Sequence, residues 1–165
     1  MTKSSSFSCG NHVIYPAHGV GKIKSIETFS VGQESIEVFV ISFEKDRMIL
    51  RLPVANAKTS GLRPVSTIKE ITAAINGLKA RGRTRRAMWS RRAQEYEAKI
   101  NSGDPASLAE VIRELYRNVN QPEQSYSERQ VYQTALHRLA GEIAAIESID
   151  TDCAIQKVEK ILEAA

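Results

Sequence analysis

The chain has 165 residues, of which 42% are hydrophobic, and a formal net charge of +4 that is divided as +3 over residues 1–65, +6 over 66–100 and −5 over 101–165. This composition argues against a disordered chain, and no apolar run approaches the roughly 20 residues that cross a bilayer. Cys9 and Cys153 lie at opposite ends of the chain, and the N-terminal segment lacks the apolar core of a secretory signal. We therefore expect a cytoplasmic protein with unpaired thiols.

The first third of the chain reads as short strands. Candidate strands are 12–15, 23–26, 35–43 and 48–54, and they are separated by the glycines of PAHGVGK and by polar turns at 31–33 and 44–47. In 37–43 both alternating faces are largely apolar, so this strand should be central in its sheet. The spacing predicts a small barrel or a strongly bent sheet.

After Pro64 the hydrophobic period becomes helical. Thr67 with Glu70 and Ser125 with Glu128 have capping-box spacing, and Asp104 followed by Pro105 is a typical helix start. Helices should follow each of these signals, a further helix should cover roughly 84–101, and a short helix should close the chain. We therefore predict an α+β protein, with a β module over residues 1–65 and an all-α bundle over 66–165.

The segment RGRTRRAMWSRR, residues 81–92, dominates the charge pattern. It holds six arginines, no acid and the chain's only tryptophan, Trp89, and no acid lies between Glu70 and Glu95 that could neutralise it. Such a density favours a polyanionic or acidic partner, and an aromatic among guanidinium groups is typical of nucleic-acid binding. We expect phosphate contacts with little strict sequence specificity.

Trp89 allows two interpretations. It follows helical spacing with Ala93, Tyr96 and Ile100, so it could belong to a core stripe. The arginines three or four positions away would crowd a buried ring with charge, which favours a ring that projects beyond the core as a wedge. The sequence alone leaves these alternatives open.

Enzymatic functions are poorly supported. Cys9, His12 and His18 match no common zinc spacing, and PAHGVGK lacks the spacing of a phosphate-binding loop. The histidines fit turn and strand positions, and the glycines fit a tight turn. We therefore expect no enzyme, no metal, no cofactor and no small-molecule substrate.

Several motifs together resemble the CarD/CdnL family of bacterial transcription regulators. They are VIYPAHGVGKI, MILRLPVANA, GLRPV, MWSRR, IRELYR and SYSERQ, and they span about residues 9–162 in the family's order. The resemblance implies a Tudor/SH3-like module that docks on the RNA polymerase β subunit. It also implies a helical domain that contacts promoter DNA at the upstream edge of the transcription bubble and alters the lifetime of the open complex.

The resemblance also assigns residues. Trp89 matches the tryptophan that wedges into the minor groove, and Arg91 and Arg92 match the basic pair that holds the DNA backbone. Arg51 and Pro53 match the polymerase-binding strand, with Val40 nearby, and that contact would be strand pairing at a sheet edge.

Some positions depart from relatives. Gln94 and the region of Phe29 stand where some relatives carry basic residues, so the resemblance assigns no phosphate contact to Gln94 and no basic polymerase contact near Phe29. The four additional arginines either extend the DNA contact or reach other acidic surfaces; they are Arg81, Arg83, Arg85 and Arg86.

Three hypotheses follow. The first is a monomeric, non-catalytic transcription regulator that binds polymerase and promoter DNA and stabilises the open complex. The second is a protein-only adaptor whose arginine-rich helix docks on an acidic protein while Trp89 is buried. The third, a metal-dependent enzyme using Cys9, His12 and His18, would require bound metal. The sequence does not indicate which promoters respond, or whether each is activated or repressed.

Overall fold

A computed structural model describes residues 7–16, 18–43, 47–57, 59–79, 88–116 and 124–164. The chain divides into two compact units, Met1–Val65 and Ser66–Ala165. The first is an antiparallel β module and the second is a bundle of helices, so the predicted α+β class is confirmed. Arg81, Arg83, Arg85 and Arg86 lie outside the described residues.

The described part of the first unit forms a five-stranded sheet with the order β4-β3-β2-β1-β5. Each pair of neighbouring strands is antiparallel. β3 lies between β2 and β4, as its two apolar faces predict, and β4 lies at one edge. The strands are β1 (His12–Tyr15), β2 (Gly19–Val31), β3 (Glu34–Phe43), β4 (Met48–Pro53) and β5 (Arg63–Pro64).

One irregularity decides which residues of β2 face the core. Ile23 pairs with Ile41, but Ser25 pairs with Val40, so the register shifts by one residue between Ile23 and Ser25. Such a bulge reverses the alternation of the residues beyond it. As a result Ile26 lies opposite the core residue Phe39, while Glu27 lies opposite Val38 on the other face of the sheet.

The core of the β module lies on one face of the sheet. Its fully buried members include Val13, Ile23, Phe39, Ile41 and Phe43. We call the opposite face the outer face; by the strand register it carries Glu27, Phe29, Ile36, Val38, Val40, Arg51 and Pro53.

The glycines of PAHGVGK have two different roles. Gly19 has a φ of +85°, which suits the predicted turn. Gly21 lies inside β2, and a Cβ atom there would stand 2.6 Å from Ile41 Cγ2 and 2.8 Å from Phe43 Cε1. The second glycine therefore permits close packing of β2 on the core, and the predicted strand at 23–26 is extended to Gly19–Val31.

The helical unit begins where the capping signals predict. The Thr67 hydroxyl accepts a hydrogen bond from the Glu70 backbone N–H, Asp104 caps the next signalled helix through the Ala106 N–H, and Ser125 caps another through the Glu128 N–H. The helices are α1 (Ile68–Leu78), α2 (Trp89–Ser102), α3 (Pro105–Leu115), α4 (Tyr126–Glu147) and α5 (Thr151–Ala164).

The helix predicted over 84–101 begins later than expected. Met88 has an extended backbone with φ −60° and ψ 144°, so the helix starts at Trp89, and residues 84–87 lie outside the described residues. The sequence contains no signal for this boundary, because Met88 has no side chain that could cap the helix. Among the described helices, none is long and apolar enough to span a membrane.

The bundle has one continuous core to which all five helices contribute. Glu142 of α4 is also buried, and its Oε1 atom accepts hydrogen bonds from the Ser66 hydroxyl at 2.8 Å and from the Ser66 N–H at 3.2 Å. A buried carboxylate is tolerated where donors satisfy it. This contact attaches the first residue of the helical unit to the bundle.

We predict that Gly21→Ala destabilises the β module by about 1–3 kcal/mol, because the added methyl group overpacks the Ile41 and Phe43 contacts. Amide hydrogen exchange should show faster opening of β2 and β3.

Gly77→Ala is the matched control. A Cβ atom at Gly77 would lie 4.0 Å from the Ala109 Cβ, and alanine favours a helix by roughly 0.5–1 kcal/mol over glycine. This variant should keep or raise the stability of the bundle. Unchanged exchange in Gly21→Ala would contradict the packing argument.

Candidate functional site

Trp89 lies at the start of α2, at the end of the bundle's core. Its ring is half-buried and packs against the core, with its centroid 6.1 Å from that of Tyr96 at an interplanar angle of 47°. By contrast Tyr96 is fully buried, and Ile100 one turn further along is also buried. The apolar stripe therefore exists as predicted, but Ala93 and Trp89 at its N-terminal end are only half-buried.

The α2 N-terminus differs from the capped starts of α1, α3 and α4. Its N-cap residue, Met88, offers no side-chain hydrogen bond, and the first turn contains no acid. Met88 is 78% exposed and adjoins Trp89. The first turn of a helix carries partial positive charge on its N–H groups, so this end is electrostatically suited to anions.

Arg91 and Arg92 have different surroundings although they are neighbours in sequence. Arg91 is exposed, whereas Arg92 is half-buried. The Arg92 Cζ atom lies 5.7 Å from the centroid of the Trp89 ring and 5.6 Å from that of Tyr96. The Arg92 Nη2 atom donates a hydrogen bond of 3.0 Å to the Tyr96 hydroxyl. The structure thus directs one arginine toward solvent and folds the other over two aromatic rings.

The Tyr96 hydroxyl connects α2 to α3. Burial raises its pKa above the ordinary value, the hydrogen bond from Arg92 lowers it, and a hydrogen bond with the Glu114 carboxylate raises it again, leaving a net increase. A raised tyrosine pKa means that the hydroxyl keeps its proton, which it can donate to the carboxylate while accepting from Arg92. The three side chains form a polar link beneath Trp89.

The residues assigned to polymerase binding lie together on the sheet. Arg51 pairs directly with Val40 across β3 and β4, and Pro53 pairs with Val38. All four side chains share the outer face, since directly paired residues point to the same side of an antiparallel sheet. β4 is an edge strand, and such a strand presents backbone N–H and C=O groups for further pairing.

Glu27 is an addition to this face that the sequence did not indicate. Its carboxylate lies 3.8 Å from Arg51 Nε, and the two residues stand on the strands that flank β3. The ion pair therefore spans the strand that carries the buried residues Val38 and Val40. Beyond it, Phe29 pairs with Ile36 and both are partly exposed, so the outer face continues as an apolar surface.

Sequence reasoning missed four residues of these two sites: Met88, Tyr96 as a hydrogen-bonding group, Glu114 and Glu27. The spacing of Arg92 and Tyr96, four residues apart on a helix, could have indicated their contact. The position of Glu27 depends on the bulge in β2, and that of Glu114 depends on how α3 packs, so neither has a local signal.

The metal hypothesis gains no support from the described residues, in which no group of three or more His, Cys, Asp or Glu side chains could hold a metal ion. His18 instead stacks on Tyr15, with centroids 5.5 Å apart at an interplanar angle of 11°, and Cys9 Sγ donates to the Lys24 carbonyl at 2.8 Å. His18 therefore packs on an aromatic ring, which fits the turn position predicted for it.

Comparison with known proteins gives both units a family. Residues 7–66 match the model of the CarD-like/TRCF RID domain, and residues 73–159 match that of the CarD C-terminal domain. The chain is also 27% identical over 143 residues to "Putative transcription factor YdeB" of Bacillus subtilis (strain 168), covering 87% of this chain and 94% of the relative. The order of the two domains agrees with the β module and helical bundle described above. The chain therefore belongs to the CarD family and has a transcription-related role, as its motifs predict.

Proposed function

We propose that this protein binds the β subunit of RNA polymerase through its β module and promoter DNA through the start of α2. The Trp89 ring wedges into the minor groove at the upstream edge of the bubble and stabilises the open complex, without any catalytic step. The observation that carries this proposal is the placement of Trp89, half-buried at an uncapped helix start between exposed Met88 and Arg91.

This placement suits a wedge for two physical reasons. The inner part of the ring is supported by Tyr96 and the bundle core, so the outer part can press against DNA without collapsing onto the protein. Apolar side chains that insert between base steps unstack them at a cost of a few kcal/mol, which the distorted DNA offsets by contacting more protein surface. Insertion therefore requires that the protein support the inner side of the Trp89 ring.

The surrounding charge suits the DNA backbone. Arg91 is exposed beside Trp89, and the α2 N-terminus adds partial positive charge. By its sequence position, the preceding arginine run supplies further phosphate contacts; its members are Arg81, Arg83, Arg85 and Arg86. Contacts of this kind position the protein on DNA and read little sequence.

The effect on transcription follows from differential affinity. A wedge that fits distorted DNA better than relaxed duplex shifts promoters toward the melted state. Binding to polymerase supplies a high local concentration, so a weak DNA contact becomes effective there. We accordingly expect feeble binding of the free protein to duplex DNA.

The β module is suited to strand pairing with the polymerase. The edge position of β4 leaves room for another strand, and Pro53, which cannot donate in a ladder, lies at the end of β4. Main-chain hydrogen bonds would supply affinity, and the exposed Arg51 side chain would supply specificity. Val40, which pairs with Arg51 but is only 6% exposed, would support the strand from within the module. Glu27 competes for Arg51, so the polymerase strand must offer Arg51 an acceptor or leave the pair intact.

We predict that wild-type protein lengthens the half-life of a promoter open complex and that Trp89→Ala returns it to the baseline. Stacking of a base on an aromatic ring is worth about 1–3 kcal/mol, so roughly a fivefold loss or more is expected. Because the ring is half-buried, Trp89→Ala should cost only about 1–2 kcal/mol of unfolding free energy.

Two further results distinguish a wedge role of Trp89 from a role in the core. Tyr96→Ala, which empties a fully buried site, should cost about 3–5 kcal/mol in urea unfolding followed by circular dichroism. If Trp89→Ala destabilised the bundle as much, the ring would belong to the core and the adaptor hypothesis would be favoured. Equal half-lives with the wild type and a folded Trp89→Ala would also reject the wedge.

We predict that Arg51→Ala weakens binding to RNA polymerase by about tenfold, a typical loss for a central interface arginine. Arg63→Ala is the matched control, because Arg63 lies on β5 at the opposite sheet edge and carries the same charge. Affinity measured on the core enzyme at fixed salt should fall only for Arg51→Ala. Equal losses would indicate general electrostatic attraction rather than docking on this face.

A further inference from the structure

The two arginines that follow Trp89 differ in a way that bears on how the ring is held. Arg92 lies three residues after Trp89 and four before Tyr96, so all three share one face of α2. Its guanidinium group lies within 6 Å of both ring centroids, at 5.7 Å and 5.6 Å. A guanidinium group at this distance is attracted to the face of an aromatic ring.

The Arg92 guanidinium group is also held by a hydrogen bond to a buried side chain. Nη2 donates to the Tyr96 hydroxyl at 3.0 Å, while the buried Nε has no hydrogen-bond partner among the described residues, so the Nη2 bond is what retains the group. Tyr96 is itself 1% exposed and interacts with Glu114 of α3. A move of the guanidinium toward a DNA phosphate would break the hydrogen bond to a buried hydroxyl and separate the cation from both rings. Arg91, on the exposed side of α2, has no such constraint to overcome.

We propose that Arg92 is a positioning residue, which holds the Trp89 ring in its DNA-facing orientation through the Arg92–Tyr96–Glu114 link, and that it does not bind a phosphate. This inference rests on the proposed function of Trp89 and deepens it. The phosphate contact beside the wedge belongs to Arg91. A basic pair that looks uniform in sequence is therefore divided between two tasks by its position on the helix.

The chemistry distinguishes arginine from lysine here. A planar guanidinium can lie over a ring and donate a hydrogen bond at the same time, while an ammonium is a compact, strongly hydrated charge. Arg92→Lys should therefore keep part of the restraint on the Trp89 ring, whereas Arg92→Gln should keep none. Tyr96→Phe keeps the aromatic ring but removes the hydroxyl, so it tests the hydrogen bond alone.

The first test uses the free full-length protein, in which Trp89 is the only tryptophan and its fluorescence reports one site. Loss of one cation–π contact should lower the ratio of held to released Trp89 ring conformers about fivefold. Acrylamide quenching should rise in Arg92→Gln, rise less in Arg92→Lys and Tyr96→Phe, and stay unchanged in Arg91→Gln. Far-UV circular dichroism confirms that each variant is folded.

The second test measures open-complex half-life with RNA polymerase as salt is varied. Loss of one phosphate contact should make the log–log salt slope shallower by about 0.9. Arg91→Gln should show this change, whereas Arg92→Gln should shorten the half-life and leave the slope at the wild-type value.

The outcomes separate this inference from the proposed function. Unchanged quenching in folded Arg92→Gln, or a slope change equal to that of Arg91→Gln, would overturn the positioning role. If Trp89→Ala leaves open-complex lifetime unaltered, the wedge function fails. The quenching measurement, which needs no DNA, would still decide whether Arg92 holds the ring.

Discussion

The burial of Tyr96 between α2 and α3 is the constraint on which the candidate DNA-binding end of the protein depends. Tyr96 and Ile100 are the buried residues of α2, so the second half of the helix lies in the core, while Trp89 in the first turn packs against the core and is only half-buried. That geometry gives Trp89 a packed inner edge and an outer edge toward solvent. The Tyr96 hydroxyl also retains Arg92, so one buried side chain determines the surroundings of both neighbours.

Much of the fold was predictable because its signals are local. Thr67, Asp104 and Ser125 mark helix starts through hydrogen bonds made within one turn, and each prediction is confirmed. The start of α2 has no such local signal, because its N-cap residue Met88 carries no capping group. The alternation of β2 was not predictable beyond Ile23, since a bulge shifts its register against β3 by one residue and no turn or breaker residue in β2 marks the position.

The candidate sites show the same division between local and tertiary information. Trp89 and the arginine cluster stand out in composition, and the motifs identified the family that comparison confirms. Composition could not separate Arg91 from Arg92, because the difference comes from a hydroxyl one turn away and a carboxylate on α3. It likewise could not place Glu27 beside Arg51, which requires the shifted register of β2.

We propose that Trp89 contacts melting promoter DNA more favourably than closed duplex, and photo-crosslinking from position 89 tests this preference most directly. A photoreactive amino acid replaces Trp89, and crosslinks are mapped in closed and open complexes formed with RNA polymerase. We expect crosslinks to DNA at the upstream edge of the bubble, with a yield that rises on melting. Crosslinks only to protein, or an equal yield on closed and open promoters, would contradict it.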